Sequence, residues 1–294
     1  MAKIAFILLC HQNPEAIVHQ AEQLTAVGDY IAIHFDASAP TDAYNHIHAA
    51  LRDNPNVAFA KKRIKCGWGE WSLVQATLNA TSAAIDAFPL ATHFYMVSGD
   101  CMPIKSARHA SALLDSDDCD YIESFDFFES DWIKTGMKEE RLIYHHVFNE
   151  RTNKAMFNHS LWVQRKLCLE RKIPVDLQVM IGSQWWCLTR QTLSAILEDP
   201  DRAVYDRYFK RVWIPDESYF QTLVRLYSQS VESRSLTLSK FDYQGKPHIF
   251  YDDHLQLLRR SDCFVARKIW PHANRLYDNF LNEENPLKGA EPNP

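Results

Sequence analysis

Residues 3–36, KIAFILLCHQNPEAIVHQAEQLTAVGDYIAIHFD, decide the fold because they hold two apolar segments with a helical pattern between them. The short apolar run KIAFILLC predicts a buried strand. Asn13-Pro14 predicts the start of a helix and Gly28 predicts its end. YIAIHFD then predicts a second strand. This order indicates two parallel strands that are joined by a crossover helix.

The same alternation continues to about residue 125. Helices are predicted at TDAYNHIHAALRD and WSLVQATLNATSAAIDAF, and strands at VAFAKK, HFYMVSGD and DYIESF. This pattern predicts an α/β fold of Rossmann type, with a mostly parallel sheet and helices on both faces. Because ligands of such sheets bind at the carboxyl ends of the strands, we expect a site near Asp36, Asp100 and Glu123.

The length of 294 residues suits one large domain or two small ones. We predict a single domain over residues 1–281, with a nucleotide-binding part at about 1–125 and an acceptor-binding and catalytic part at about 126–281. VMIGSQWWCLTR is predicted to form a strand pair or a turn into a strand. The polar end 282–294, NEENPLKGAEPNP, is predicted to be a flexible tail.

The composition excludes several classes of protein. A formal net charge of −5 gives no global support for a nucleic-acid partner. The seven cysteines form no Cys-x-x-Cys pair, which favours free thiols in a reducing cytoplasm over a disulfide framework or a zinc site. No apolar run approaches the ~20 residues of a membrane span. We therefore expect a cytoplasmic protein without a transmembrane segment.

The sequence contains no convincing metal motif. Asp118-Cys119-Asp120 matches Asp-x-Asp, but it precedes a predicted strand and is interpreted as a polar turn. At a strand end, SGDCMP (98–103) offers one acid, and one carboxylate is a poor site for Mg²⁺ or Mn²⁺. His145 and His146 are adjacent and point in different directions, and histidines more often serve as structural hydrogen-bonding groups. We predict no metal site.

Two adjacent acids, Asp216 and Glu217, stand in IPDESYFQTL (214–223), behind a proline and ahead of an apolar helical pattern. Acids at a helix start accept free backbone N–H groups and suit the positive end of the helix dipole. Capping explains one acid better than two. From these residues alone, both a capping role and a catalytic role stay open.

Cations and aromatic residues elsewhere also have two interpretations. Arg267-Lys268 follows CFVA and precedes IW, so the pair could end a strand in solvent or meet a diphosphate. Trp185-Trp186 follows Gly-Ser-Gln and could belong to the core or form the floor of a sugar site.

Eight stretches together resemble one family. They are HFDASAP (34–40), SLVQATL (72–78), SGDCMPIKS (98–106), YIES (121–124), KEERLIYHH (138–146), GSQWWCLTR (182–190), PDESYFQTL (215–223) and FVARK (264–268). In this order they resemble the metal-independent, inverting β-1,6-N-acetylglucosaminyltransferases of the core-2/I-branching type, whose relatives include the peptide O-xylosyltransferases. The resemblance runs from about residue 4 to 268.

The resemblance implies a GT-A-like fold, no metal and no cofactor. It implies that Glu217 is the general base and that Lys268 neutralises the UDP diphosphate, which leaves Asp216 free to cap the helix. Arg267 is added to the donor site, with Asp36 and Asp100. The predicted acceptor residues are Glu123, Lys138, Arg141, Trp185, Phe241 and Tyr243.

The chain departs from the family's pattern at two places. Phe241 stands where the branching enzymes have a tryptophan, so the acceptor platform is altered. Those enzymes also use an arginine some two dozen residues before the lysine. Here that region reads GKPHIF, and Lys246, His248 or Arg267 is expected to substitute.

The sequence therefore predicts a bacterial glycosyltransferase of polysaccharide biosynthesis that moves N-acetylglucosamine, or xylose, from a UDP-sugar to a glycan or protein hydroxyl. It is compatible with peripheral association with a membrane-bound acceptor. One alternative is a non-catalytic, glycan-binding relative of this fold. Another is a glycoside hydrolase with Asp216 or Glu123 as the second carboxylate, although adjacent acids are poorly arranged to flank one bond.

Overall fold

The computed structural model describes residues 2–116, 118–134, 136–175, 177–242 and 245–281. Tyr243 and the predicted tail 282–294 lie outside the described residues. Within them the strands are β1 (Ile4–Cys10), β2 (Tyr30–Phe35), β3 (Val57–Phe59), β4 (His93–Ser98), β5 (Met102–Pro103), β6 (Asp120–Tyr121), β7 (Phe125–Asp126), β8 (Met180–Ile181), β9 (Cys187–Thr189), β10 (Val231–Glu232), β11 (Thr237–Ser239) and β12 (Val265–Arg267).

Helices alternate with these strands. They are α1 (Pro14–Ala26), α2 (Thr41–Leu51), α3 (Trp71–Ala87), α4 (Ala107–Ser116), α5 (Glu140–Ile143), α6 (Lys154–Lys166), α7 (Arg190–Glu198), α8 (Arg202–Phe209), α9 (Tyr219–Tyr227), α10 (Leu255–Arg260) and α11 (Asn274–Leu281). None of the helices in the described ranges is long and apolar enough to cross a bilayer.

The central sheet has the order β10-β6-β9-β4-β1-β2-β3. The neighbours β4, β1, β2 and β3 are parallel, and β9 pairs antiparallel with β4 and β6. Strands β2 and β3 are added to one side of β1, and β4 is added to the other side. Because crossover connections are right-handed, α1 and α2 cover one face and α3 covers the other. The predicted α/β fold with a mostly parallel sheet is confirmed.

The side chains of β1 explain why this sheet forms the centre. Six of its seven residues are buried, as expected of a parallel strand covered on both faces. Between β1 and β4 the direction of strand addition reverses. Residues 9–13 and 98–100 line a small crevice there, at the carboxyl ends of both strands. Ligands of such sheets bind at this kind of position.

A second, smaller sheet of β11, β12 and β5 extends this edge. β12 is parallel to β11 and antiparallel to β5, with Ala266 opposite Met102. A separate apolar cluster that includes Met102, Phe250 and Leu276 packs under it. This sheet carries the C-terminal basic residues back to the end of β4.

One prediction about local structure is wrong. Asp216 does not cap α9, because Pro215–Glu217 forms a separate 3-10 turn and Ser218 is the residue that precedes the helix. In VMIGSQWWCLTR the chain turns into the strand β9, as one of the two predicted alternatives has it, and the short strand β8 before the turn belongs to another sheet.

Candidate active site

Lys268 reaches the end of β4. The antiparallel pairing of β12 with β5 brings it there, and the Ile269 N–H donates to the Asp100 carbonyl at 3.0 Å. The Lys268 Nζ lies 3.0 Å from the Asp100 Oδ2, and both side chains are partly exposed. The predicted residues Asp100 and Lys268 are therefore neighbours. The ammonium group is balanced by one carboxylate and remains accessible to a ligand.

Arg267 points elsewhere. Its guanidinium carbon lies 4.1 Å from the centre of the Trp185 ring, and both residues are buried. Its Nε has no hydrogen-bond partner among the described residues. Lys268 pairs with Asp100, so the two neighbouring cations have different partners, and the donor role of Arg267 stays a prediction. Trp185 is correspondingly wrong as an acceptor platform, because its buried ring supports Arg267 instead.

Asp36 organises two loops at the end of β2. Its Oδ1 accepts the N–H and the hydroxyl of Ser38, both at 2.6 Å, and its Oδ2 accepts the N–H of Cys66 at 3.0 Å. Burial would raise the pKa of Asp36, but these hydrogen bonds outweigh it and hold the pKa below its usual value. Asp36 thus shapes the loops beside the crevice, and its direct contact with a donor stays a prediction.

Glu217 is held by an arginine. Its Oε2 lies 2.9 Å from the Arg141 Nη1, and a third of its side chain is exposed. Burial raises the pKa of Glu217 above its ordinary value, while Arg141 opposes the rise. Arg141 was predicted to bind the acceptor, and the structure places it on the predicted base. A carboxylate with a raised pKa is a better proton acceptor near neutral pH.

Gly182 joins the turn that carries Glu217 to the segment that carries Glu123. Its N–H donates to the Glu217 carbonyl at 3.0 Å. A Cβ at position 182 would lie 1.9 Å from the Glu123 carbonyl oxygen, so only glycine fits. The Ser183 N–H lies 3.3 Å from the Glu123 Oε2. The structure therefore brings the predicted residues Glu123, Arg141 and Glu217 together.

Asp216 is half-buried beside Glu217. Its Oδ1 is shielded from solvent and has no hydrogen-bond partner among the described residues. Burial, reinforced by the neighbouring charge of Glu217, raises the pKa of Asp216 to about 7. The two adjacent acids are thus unequal, since Glu217 faces the arginine and Asp216 faces the interior.

The remaining predicted acceptor residues differ in their surroundings: Lys138 is hydrogen-bonded within the protein, and Phe241 is exposed. The Lys138 Nζ donates to the carbonyls of Phe128 and Ser130, at 2.9 and 3.1 Å, and so fastens a loop. Phe241 is 58% exposed and forms an isolated bridge with Pro247. The acceptor roles of Lys138 and Phe241 stay predictions, and Tyr243 lies outside the described part of the chain.

Two of the residues considered as substitutes for the family's arginine, Lys246 and His248, lie between β11 and α10. The Lys268 N–H donates to the His248 carbonyl at 3.3 Å, which places His248 next to the ion pair of Lys268 and Asp100. Its Nε2 lies 3.1 Å from the Nε2 of His254. Lys246 is exposed, and its backbone N–H donates to the Asp242 carboxylate. Of these two residues, His248 is the one hydrogen-bonded to Lys268, whereas the third candidate, Arg267, precedes Lys268 in the chain.

Trp68 is a residue that sequence reasoning missed. It is 44% exposed, and the Arg151 guanidinium carbon lies 3.4 Å from its ring centre. The ring also packs edge-to-face on Trp213, and the next residue, Gly69, accepts the Ile214 N–H at 3.0 Å. Trp68 is thus an exposed aromatic surface beside the turn that carries Glu217. The pattern GWGEW, a tryptophan between two glycines, was the available signal.

The described residues contain no group of three or more His, Cys, Asp or Glu side chains that could hold a metal ion. Asp120 of the formal Asp-x-Asp match is buried and accepts hydrogen bonds from the Thr189 N–H and the Thr192 hydroxyl. Its role is structural. Metal independence itself stays a prediction.

Comparison with known proteins gives one family. The sequence profile of the Core-2/I-Branching enzyme family matches residues 4–259. The human beta-1,3-galactosyl-O-glycosyl-glycoprotein beta-1,6-N-acetylglucosaminyltransferase 3 is 22% identical over 231 residues, which cover 76% of this chain and 47% of that protein. The corresponding enzyme of bovine herpesvirus 4 is 21% identical over 222 residues, with the same two shares. The chain spans about half the length of these curated relatives.

Solved structures give weaker likenesses. The bifunctional glycosyltransferase WbbM is 10% identical, with a TM-score of 0.41 over 90% of this chain and 45% of that one. The mannosyltransferase Ktr4p of S. cerevisiae is 8% identical, with a TM-score of 0.32 over 76% of this chain and 65% of that one.

Proposed function

The chain belongs to the Core-2/I-Branching enzyme family, and from this premise we propose that it is a metal-independent, inverting glycosyltransferase. Its donor is a UDP-sugar that carries N-acetylglucosamine or xylose, and its acceptor is a hydroxyl of a glycan or a protein. The relatives named above support N-acetylglucosamine as the first donor to test.

The observation that carries the proposal is the pair of Glu217 and Arg141. An inverting transfer needs one base behind the attacking hydroxyl. Glu217 offers a partly exposed carboxylate whose position is fixed by Arg141 and by Gly182 beneath the turn. It takes the proton of the acceptor hydroxyl as that oxygen bonds to the anomeric carbon of the donor. The bond from the anomeric carbon to the UDP oxygen breaks, and the electron pair leaves with UDP.

Lys268 is proposed to stabilise the departing diphosphate. A leaving group that gains negative charge needs positive charge nearby. In the described structure the ammonium group pairs with Asp100 at 3.0 Å. A diphosphate carries more charge than one carboxylate and can draw the ammonium toward itself. Asp100 then acts as the resting partner that holds Lys268 in position before the donor binds.

Trp68 is proposed to contact the acceptor. Flat aromatic faces pack against the C–H surfaces of sugar rings. The exposed ring of Trp68 lies beside the turn that carries Glu217, whereas Trp185 is buried. The acceptor surface is therefore assigned to Trp68 and the exposed Phe241, with Glu123 as a polar contact.

The positions of the two acids argue against a hydrolase built on them. A retaining hydrolase needs an ionised nucleophile and a proton donor on opposite sides of one bond. The Asp216 Oδ1 is shielded from solvent, and Glu217 is paired with Arg141. The two carboxyl groups do not face each other across an open cleft.

A donor panel tests the proposal. UDP-linked N-acetylglucosamine, xylose, glucose and galactose are each incubated with the protein in EDTA, with β-galactosides, N-acetylhexosaminides and serine-containing peptides as acceptors. We expect acceptor-dependent release of UDP from one of the first two donors, and a product of inverted anomeric configuration by NMR. Release only after Mn²⁺ is added, or a retained configuration, would contradict the proposal.

A further inference from the structure

A basic groove lies between the segment 171–175 and α8. It has a volume of about 860 Å³ and is open to solvent. Its exposed cations are Lys172, Arg207, Lys210 and Arg211. Among the residues that the structure describes, no acid lines it. We call these four cations, with the apolar residues Val175 and Val204, the basic face.

The four cations of the basic face have no ion-pair partner among the described residues. Arg171, which lies under them, is different, because it donates to the carbonyls of Leu142 and Tyr144 and supports the fold. Burial lowers the pKa of Arg171, and the nearby charge of Arg211 lowers it further. The chain as a whole carries a formal net charge of −5, so the basic face is a positively charged region on a negatively charged protein.

Two exposed apolar side chains line the groove with these cations. Val175 is 99% exposed and Val204 is 48% exposed. Single exposed apolar residues are ordinary on a protein surface, so it is their position among cations without ion-pair partners that matters here.

The combination of charges and apolar tips fits one partner. We propose that the basic face binds the surface of a bilayer that contains anionic phospholipids. The cations meet headgroup phosphates, and Val175 and Val204 enter the boundary between headgroups and acyl chains. A nucleic acid would satisfy the charges but would leave a fully exposed valine without an apolar partner.

The basic face is connected to the candidate active site through α5. The Arg171 N–H donates to the Ile143 carbonyl at 2.7 Å, and Arg141, the partner of Glu217, lies on the same helix. A protein bound through this face would hold its acceptor side near the bilayer. This last point rests on the proposed function, whereas binding to the bilayer does not.

Vesicle co-sedimentation tests the proposal. Vesicles of phosphatidylcholine with about one phosphatidylglycerol in three lipids are compared with vesicles of pure phosphatidylcholine. We expect binding to the anionic vesicles only, and weaker binding at high salt. Each cation near an anionic surface adds about fivefold to affinity, so the triple variant Lys172→Glu, Arg207→Glu, Arg211→Glu should lose at least about 100-fold.

Three controls separate this effect from net charge and folding. The variant Lys62→Glu, Arg108→Glu, Arg260→Glu has the same net charge and changes exposed cations outside the basic face. It should bind like the wild type. Val175→Ser with Val204→Ser keeps every cation and should still weaken binding. Thermal unfolding and UDP affinity of all variants should match the wild type.

Several outcomes would overturn the proposal. They are equal binding to neutral vesicles, equal losses for both triple variants, and no effect of the two serine substitutions. Absence of vesicle binding, together with a salt-sensitive dimer in sedimentation or binding to polyanionic RNA, would also overturn it and would assign the face to another partner. A failure of the donor panel would leave vesicle binding unchanged, so the two proposals fail separately.

Discussion

The turn that carries Glu217 and the strand end that carries Lys268 hold their charges in different ways. Glu217 is fixed by an arginine, and its turn is hydrogen-bonded to a glycine. Lys268 has one partly exposed carboxylate partner at the end of β4. The first arrangement fixes a proton acceptor in place. The second leaves a cation that can change partners when a diphosphate arrives.

This comparison is tested most severely at Glu217. Glu217→Gln keeps the shape of the side chain and removes the base, so transfer should fall by about 10²–10⁴-fold. UDP affinity should stay at the wild-type value, because the donor charge is handled at Lys268. Steady-state transfer and calorimetry measure the two quantities. Glu198→Gln, at an exposed acid on α7, is the matched control, and a similar loss there would remove the distinction.

Asp216→Asn tests the buried side of the same turn. The raised pKa means that the folded state binds the proton more tightly than the unfolded state does, so wild-type stability falls as pH rises from about 4 to about 7. The asparagine variant lacks this loss and should be more stable at pH 8 by about 1.4–4 kcal/mol, since each tenfold change in proton affinity is worth about 1.4 kcal/mol. Denaturant unfolding at pH 4 and pH 8 measures it. A variant that is less stable than the wild type at pH 8 would contradict the raised pKa.

Lys268→Ala tests the open side of the comparison. Removing a hydrogen bond to a charged group should weaken UDP binding by about 1.5–3 kcal/mol. The affinity for uridine should barely change, because uridine has no diphosphate. Lys62→Ala is the control at an exposed lysine outside the site. Equal losses for UDP and uridine would show that Lys268 supports the fold instead.

Gly182→Ala gives the smallest expected effect. The new Cβ would overlap the Glu123 carbonyl, and overpacking of this kind typically costs about 1–3 kcal/mol of stability. Gly67→Ala should cost less, because its Cβ would meet only the flexible end of Glu70. Unfolding free energies of both variants measure the difference. Equal losses of stability in the two variants would mean that Gly182 does not pack tightly against the backbone of Glu123.

The sequence was sufficient for the parts of the molecule that depend on local patterns. The apolar run of β1, the Asn-Pro start of α1 and the second strand are where periodicity and turn residues placed them. Position on a strand end also identified Asp100. The cytoplasmic location, the bacterial origin and the division at about residue 125 stay predictions.

The errors concern contacts between distant segments. Asp216 looked like a helix cap because its sequence neighbours fit one, but the 3-10 turn directs it inward. Trp185 looked like a sugar platform, and Arg267 from the far end of the chain covers it. Gly182 had no visible role until Glu123 was found against it. Such roles depend on residues tens of positions away, which no local pattern reveals.

The pH dependence of transfer tests the central claim most directly. If Glu217 is the general base, the wild-type rate at saturating donor and acceptor should fall as pH decreases, with a midpoint above the ordinary pKa of a glutamate, because burial raises the pKa of Glu217. Glu217→Gln should show a low rate without this acid limb. A Glu217→Gln variant that keeps the wild-type rate and the same acid limb would contradict the account.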